Sequence, residues 1–447
     1  MSEEDYHPER QLESVHLEPG TIVSDSDHKE KQWKTIKEIG RGAFGTVYHV
    51  INQSRTKEAA LKIERITDGE NLLKIEREIM EAMQKEPTAI HIYDDGVYNE
   101  YRFIVMTLCG LDLEKIAILM NNKFSQETII RVCIRTLLAI KTLHEYCYIH
   151  RDLKPCNFAV DFDIHSLHVY IFDYGMARKY VRRENGNTYM RRGREQVQFR
   201  GTVRYCSLNM HRRRELGRVD DVWSWFFMLM EMHAPLPWGG ITHPDKVEAF
   251  KEERLIPYLE KDPFFRSLLP IVTMLNGTKY AGRPKYLEMY ELLYAKLREI
   301  NGKLSGPMEY DKVRIAAQVS ELGDVERPKT HSKIEDEATI ISYLEAKFKH
   351  EEIPDGENFL VPETFNFFGS LDPLKAKEEK TDENRKKRQS HVHKKEHDKR
   401  QSNVNKMMGL KKQPNSGGKP NEKQSSSAGS KTLPQSKVKK VKDKKPH

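Results

Sequence analysis

An aspartate and an asparagine, Asp152 and Asn157, stand in the run Tyr148-Ile149-His150-Arg151-Asp152-Leu153-Lys154-Pro155-Cys156-Asn157. A second aspartate follows sixteen residues later, between apolar neighbours and a glycine, in Ile171-Phe172-Asp173-Tyr174-Gly175. Upstream, Gly40-Arg41-Gly42-Ala43-Phe44-Gly45-Thr46-Val47 is rich in glycine, and Ala59-Ala60-Leu61-Lys62 sets a cation in an apolar run. These types, in this order, suit phosphoryl transfer. Negative charge concentrates on the moving phosphoryl group, so positioning and cations supply most of the rate. Lys62 suits the α- and β-phosphates of ATP. Asp173 and Asn157 offer oxygen to a hard cation such as Mg2+. Asp152 suits orienting and accepting from an acceptor hydroxyl, and Lys154 suits neutralising charge on the transferring group.

Each signal alone has a plainer explanation. GxGxxG also opens a helix in dinucleotide-binding units; here Thr46-Val47-Tyr48-His49-Val50-Ile51 continues as strand, which favours a hairpin over phosphates. A lone strand lysine is usually solvated, but one in an apolar strand needs a paired charge, and Glu76 or Glu78 on the next helix could provide it. All the signals in sequence leave little room for chance polarity.

The elements that must position these groups can be read from periodicity. WKTIKEIG, TVYHVI, EAALKIE and YRFIVMTL read as strands, and NLLKIEREIMEAM as a helix with apolar Leu72, Leu73, Ile75, Ile79 and Met83. Beyond residue 109 the pattern turns helical. Ile130, Cys133, Leu137 and Ile140 form a core-facing stripe behind a capping Ser125, and DDVWSWFFMLMEM, apolar almost all round, belongs at the centre of a lobe. The last strong helical pattern is YLEMYELLYAKLREI.

Charge is unevenly spread. Residues 1–32 carry 9 acidic and 3 basic side chains, and residues 371–447 carry 23 Lys/Arg against 9 Asp/Glu. An acidic leader 1–32 without hydrophobic period and a basic tail 371–447 without Phe, Tyr or Trp are both expected to be disordered. Between them lie a domain at 33–302 and an extension, 303–370, to which the sequence assigns no fold. Five cysteines without a CxxC pair favour reduced thiols and a cytoplasmic or nuclear setting. MSEEDYHPER has no apolar signal region, and the most apolar stretch, Trp223 to Met232, is too short to span a bilayer.

By these residues the chain resembles a eukaryotic protein kinase over roughly 34–300. Phe199-Arg200-Gly201-Thr202-Val203-Arg204-Tyr205-Cys206-Ser207-Leu208-Asn209, with Arg218-Val219-Asp220-Asp221-Val222-Trp223-Ser224 and Leu236-Pro237-Trp238, is similar to the tau-tubulin kinase-like branch of the casein kinase I group. The resemblance implies an α+β fold of two lobes, a small β-rich one (33–109) and a larger helical one (110–302). It also implies a monomeric Ser/Thr kinase, active without phosphate on its activation loop. Carried across, Glu76 becomes the partner of Lys62. Gly40, Gly42, Gly45, Val47 and Ala60 surround ATP, Met106 is the gatekeeper, and Thr107 to Cys109 form the hinge. Asp221 anchors the catalytic loop, and Arg204 sits at an anion site for substrate. Tyr174 stands where the family has Phe, the same ring with a hydroxyl, and is expected to be tolerated.

Arg182, Arg183, Arg191, Arg192 and Arg194 are either a solvated loop face or a preference for acidic proteins. For substrates already phosphorylated, only Lys246 adds to Arg204. The competing interpretation is a pseudokinase scaffold, against which no catalytic position is degraded. The tail, with Arg385-Lys386-Lys387-Arg388, suits an acidic partner such as tubulin, RNA or an import receptor, or only solubility; without interleaved aromatics, specific nucleic-acid recognition is disfavoured.

Overall fold

A computed structural model of the chain describes residues 15–27, 29–42, 45–66, 72–162, 166, 168–184, 187–322 and 336–351. The strands are β1 (Ile22–Val23), β2 (Trp33–Gly42), β3 (Gly45–Asn52), β4 (Glu58–Arg65), β5 (Ile92–Tyr98), β6 (Tyr101–Met106), β7 (Tyr148–Ile149), β8 (Phe158–Val160), β9 (Val169–Ile171), β10 (Arg178–Lys179), β11 (Val181–Glu184) and β12 (Asn187–Met190). The helices are α1 (Leu72–Ala82), α2 (Leu113–Leu119), α3 (Gln126–Glu145), α4 (Leu208–His211), α5 (Arg218–His233), α6 (Pro244–Glu253), α7 (Leu255–Leu259), α8 (Pro263–Ser267), α9 (Leu269–Gly277), α10 (Tyr286–Glu299), α11 (Asp311–Leu322) and α12 (Glu337–Lys349).

The first six strands form one antiparallel sheet in the order β1-β2-β3-β4-β6-β5, with α1 against it; the rest is mainly helical. This is the β-rich and helical pair of lobes the sequence implies. Register divides the sheet's residues between two faces. Tyr48, Leu61 and Val105 stand opposite one another and enter a core with Val50, Ile63 and Phe103. Val47, Lys62 and Ile104, with Ala60 and Met106, occupy the other face, because successive side chains alternate.

Strand β5 escapes periodicity. Asp94, Asp95 and Gly96 are poor strand formers, and a bulge between Ile92 and Asp94 breaks the alternation. The leader requires a correction. Residues 15–27 and 29–32 are ordered, not disordered: Val15 and Val23 are buried in the sheet's core, Ile22 and Val23 pair with Lys34 and Trp33, and Tyr48 Oη donates to Val15 O at 2.9 Å. Two isolated valines make no period, so only the sheet edge they cover reveals them. Residues 1–14 lie outside the described residues.

In the helical lobe Ser125 Oγ accepts from Thr128 N at 3.2 Å and starts α3, whose Ile130, Cys133, Leu137 and Ile140 are buried as their spacing predicts. Helix α5 is buried along most of its length, at the lobe's centre. The extension, left without a fold by the sequence, supplies α11 and α12. Arg131 donates to Gly306 O and Pro307 O, Lys141 to His350 O, and Phe348 stacks on Tyr290 at 4.7 Å. Lys347 reaches Glu86, just beyond α1, at 2.9 Å. No helix among the described residues is long and apolar enough to cross a membrane. The basic tail and the Phe-rich stretch at 359–368 lie outside the described residues.

Candidate active site

The shared face of β3, β4 and β6 carries Val47, Ala60, Lys62 and Met106 to the cleft between the lobes. Lys62 Nζ donates to Glu76 Oε1 at 2.5 Å and lies 3.7 Å from Asp173 Oδ1. Burial alone would lower the lysine's pKa, but the carboxylates of Glu76 and Asp173 outweigh it and raise it, so the ammonium is secured. Glu78, the other candidate partner, faces elsewhere: it accepts from Tyr148 Oη at 2.8 Å and lies 3.6 Å from Lys179.

The three glycines differ. A Cβ on Gly45 would fall 2.5 Å from Ile63 O, so the sheet itself demands glycine there. At Gly40 and Gly42 the nearest atom would be 3.9 Å away. The fold tolerates a side chain at those two, so any demand for glycine comes from what the strand turn covers. Ala43 and Phe44 lie outside the described residues. In the connecting segment Thr107 N donates to His91 O at 3.0 Å, the Cys109 Sγ lies 3.9 Å from Thr107 O, and the Cys109 thiol is pushed up by burial.

The catalytic-loop residues are held from beneath by α5. Asp221 Oδ2 accepts from His150 N at 2.6 Å and Oδ1 from Arg151 N at 2.8 Å, while His144 Nε2 donates at 2.8 Å. Burial would raise this carboxyl's pKa, but His144 and the backbone donor hold it below the usual carboxylate range. His150 Nε2 donates to Phe172 O at 3.0 Å and ties the loop to the turn bearing Asp173. Arg151 and Asp173 both adopt left-handed backbone, φ 70° and 63°, which costs about 1 kcal/mol or more each. Tyr174 is buried, and its hydroxyl finds a partner by donating to Ile171 O at 2.8 Å; this accommodates the added oxygen.

Asp152 is gripped on both oxygens. Lys154 Nζ donates to Oδ2 at 2.8 Å and Thr202 Oγ1 to Oδ1 at 2.8 Å. Lys154 is kept charged, since Asp152 more than offsets the lowering effect of burial. Asn157 is buried and spends Nδ2 on Asp152 O at 2.9 Å, which leaves its oxygen, with the Asp173 carboxylate 3.7 Å from Lys62, as candidate oxygen ligands. Two oxygen ligands fit a hard cation that keeps water and phosphate oxygens for its remaining positions.

Thr202 and Gly201 were not singled out by sequence reasoning, because no local spacing links residues fifty apart in the chain. Gly201 has φ +87°, and a Cβ would lie 2.6 Å from Arg151 O and 3.4 Å from Asp152 Oδ1. Gly201→Ala is therefore expected to lower kcat by about tenfold or more with the KM for ATP unchanged, since displacing a reacting group by an ångström costs rate steeply. Steady-state kinetics check it; a wild-type kcat would remove Gly201 from this role.

Arg204 does not stand ready as expected for an anion site. Its guanidinium lies 3.3 Å from Glu231 and donates to Gly239 O at 3.0 Å. Lys246 shows no contact with it among the described residues. Lys251, unremarked in the sequence, is buried and donates to Val203 O and Cys206 O, which fixes the end of this segment; burial lowers its pKa to about 8. The basic stretch is folded, too: β11 and β12 form a hairpin, Arg191 donates to Val181 O at 3.1 Å, and Arg194 is paired with Glu215.

Residues 33–273 match the protein kinase domain family. This chain belongs to it. The kinase is also similar to a Caenorhabditis elegans protein named provisionally as a serine/threonine-protein kinase, 33% identical over 317 residues that cover 69% of this chain and 89% of the relative. A Dictyostelium discoideum protein named in the same provisional way is 30% identical over 285 residues, covering 63% of this chain and 56% of its own length. Another Caenorhabditis elegans protein so named is 31% identical over 269 residues, 56% of this chain and 66% of the relative. The fold, the domain and these relatives make the chain a kinase of the serine/threonine type that uses ATP.

Proposed function

We propose that this kinase transfers the γ-phosphate of Mg·ATP to Ser or Thr hydroxyls of acidic proteins. The observation that carries the reading is the convergence of Lys62, held by Glu76 beside Asp173, with Asp152, held by Lys154 and Thr202. In this reading the glycine-bearing turn and Lys62 hold the phosphates, Ala60, Met106, Thr107 and Cys109 border the adenine, and Asp173 and Asn157 hold Mg2+, which supplies charge neutralisation when bound. Asp152 takes the hydroxyl proton as the oxygen attacks, in the orientation its two donors impose. Lys154 faces the same point as a cation.

The casein kinase I affinity, and its tau-tubulin kinase-like branch, are part of the proposal. Their support is the way Ser207 and Asn209 dock: Ser207 Oγ and Asn209 Nδ2 both donate to Asp220 Oδ1, at 2.6 and 2.9 Å. An acidic preference is favoured over a primed one because Arg204 is already engaged by Glu231, whereas Arg192 is exposed beside the hairpin.

The test is phosphate transfer by the full chain to an unbiased peptide library, with Asp152→Asn as blank. Enrichment of Asp and Glu around labelled Ser and Thr is expected. Selection for phosphorylated positions instead, or binding of ATP with no transfer to any peptide (the behaviour of a scaffold), would overturn the reading.

A further inference from the structure

Between Glu195 and Asp220 the activation segment and its exit contain a single acidic residue, Glu215, within the run Arg212-Arg213-Arg214-Glu215. An isolated acid among arginines is ordinarily solvated and pairs loosely. Glu215 is buried instead, with 5% of its side chain exposed. Its Oε2 accepts from Arg194 Nε at 2.5 Å, its Oε1 from Arg194 Nη2 at 3.2 Å, and Arg178 Nη1 stands 3.5 Å from Oε1. Burial would push the carboxyl up, yet Arg194, Arg178 and Arg151 together hold it below its ordinary value.

The surrounding cations come from separate parts of the fold. Arg151, Arg194 and Arg200 line, with Glu215, a cavity of about 210 Å³. Arg151 neighbours Asp152 and spends Nε on Met176 O at 2.6 Å, at the turn after Asp173. Arg178 lies in β10, paired with Ile149 of β7, the strand entering the catalytic loop. Arg194 follows the hairpin, and Arg200 precedes Gly201, where a Cβ would lie 2.6 Å from Arg151 O. One carboxylate therefore contacts cations from the start and the middle of the activation segment, Arg178 and Arg194, and shares its cavity with cations of the catalytic loop and the segment's end, Arg151 and Arg200. Without an anion these would repel one another across a partly buried space.

We infer that Glu215 is a built-in anion that holds the activation segment in its substrate-ready arrangement, doing internally what a phosphate on that segment would otherwise do. The inference rests on the proposed transfer reaction. Glu215 is a positioning residue: it reaches the reacting atoms only through Arg151 and the Gly201-Thr202 turn that grips Asp152.

The experiment uses the full chain and casein, after transfer by the wild type and its loss in Asp152→Asn have been verified; failure at that step would sink the transfer reading, not this one. Glu215→Gln is expected to lower kcat by about tenfold or more with the KM for ATP little changed, while Glu215→Asp keeps most of the activity. Glu215→Ala should be stimulated severalfold by millimolar sulfate, which enters the arginine cluster, and the wild type should not. Should Glu215→Ala fail to fold, the kcat of Glu215→Gln decides the question, measured at a temperature where its unfolding curve is flat. Activity of Glu215→Gln within twofold of wild type, or a loss in a folded Glu215→Ala that sulfate leaves untouched, overturns the inference.

Discussion

Asp152→Asn is expected to lower kcat by about a thousandfold, the middle of the range for a positioned general base, while the KM for ATP moves little. Thr202 Oγ1 can still donate to the amide oxygen, so the side chain keeps its place. The amide nitrogen, however, turns two donor hydrogens toward Lys154 Nζ, where a carboxylate oxygen had accepted at 2.8 Å. The site loses its proton acceptor and acquires an uncompensated cation. Because Lys62, Asn157 and Asp173 are untouched, nucleotide binding should survive, and a loss confined to kcat identifies an interaction made only in the transition state. Fluorescent-nucleotide titration alongside phosphate transfer separates the two. Equal labelling by variant and wild type would dismiss Asp152 as the base.

Lys62→Met should remove transfer to a comparable degree and also destabilise the protein by about 3 kcal/mol, the cost of leaving one partner of a buried ion pair alone. Glu76 would keep burial and the charge of Asp173, both of which raise its pKa, and lose Lys62, which lowers it. A carboxyl whose folded pKa stands above its ordinary 4.5 contributes its stability at low pH and loses it as pH rises through the folded value. The deficit of Lys62→Met should accordingly shrink as pH falls toward the acid side. Adding Glu76→Gln removes the stranded charge, so the double variant recovers most of the stability and none of the activity. Thermal unfolding across pH, read with phosphate transfer, tests all three statements. A single variant as stable as the wild type, or a double variant that regains transfer, would contradict them.

Several charged residues meet partners that their position in the chain does not announce. Glu76 and Glu78 lie on one helix and both have the right charge; what separates them is that Glu78 is taken up by Tyr148 and Lys179. Arg204 is expected at an anion site on its position alone, but Glu231 comes from α5 and neutralises it. Three of the apparent loop arginines are engaged: Arg182 lies 5.5 Å over the ring of Tyr189 across the hairpin β11–β12, Arg191 donates to Val181 O, and Arg194 pairs with Glu215. For Glu78 and Arg204 the deciding partner is remote in the chain, and charge alone does not say whom it meets.

Chemical identity is written in local order. His150 to Asn157, Ile171 to Gly175 and the glycine-bearing hairpin carry functional groups whose spacing is short enough for backbone geometry to fix, and the strand and helix periods around them are equally local. Assembly is not. Asp152 owes its orientation to Thr202, the catalytic loop to Asp221, and the sheet's outer face to Val15 and Val23. These contacts exist only once burial has brought distant segments together. A period of two or 3.6 residues records which face a side chain takes, and it holds no information about what will be packed against that face.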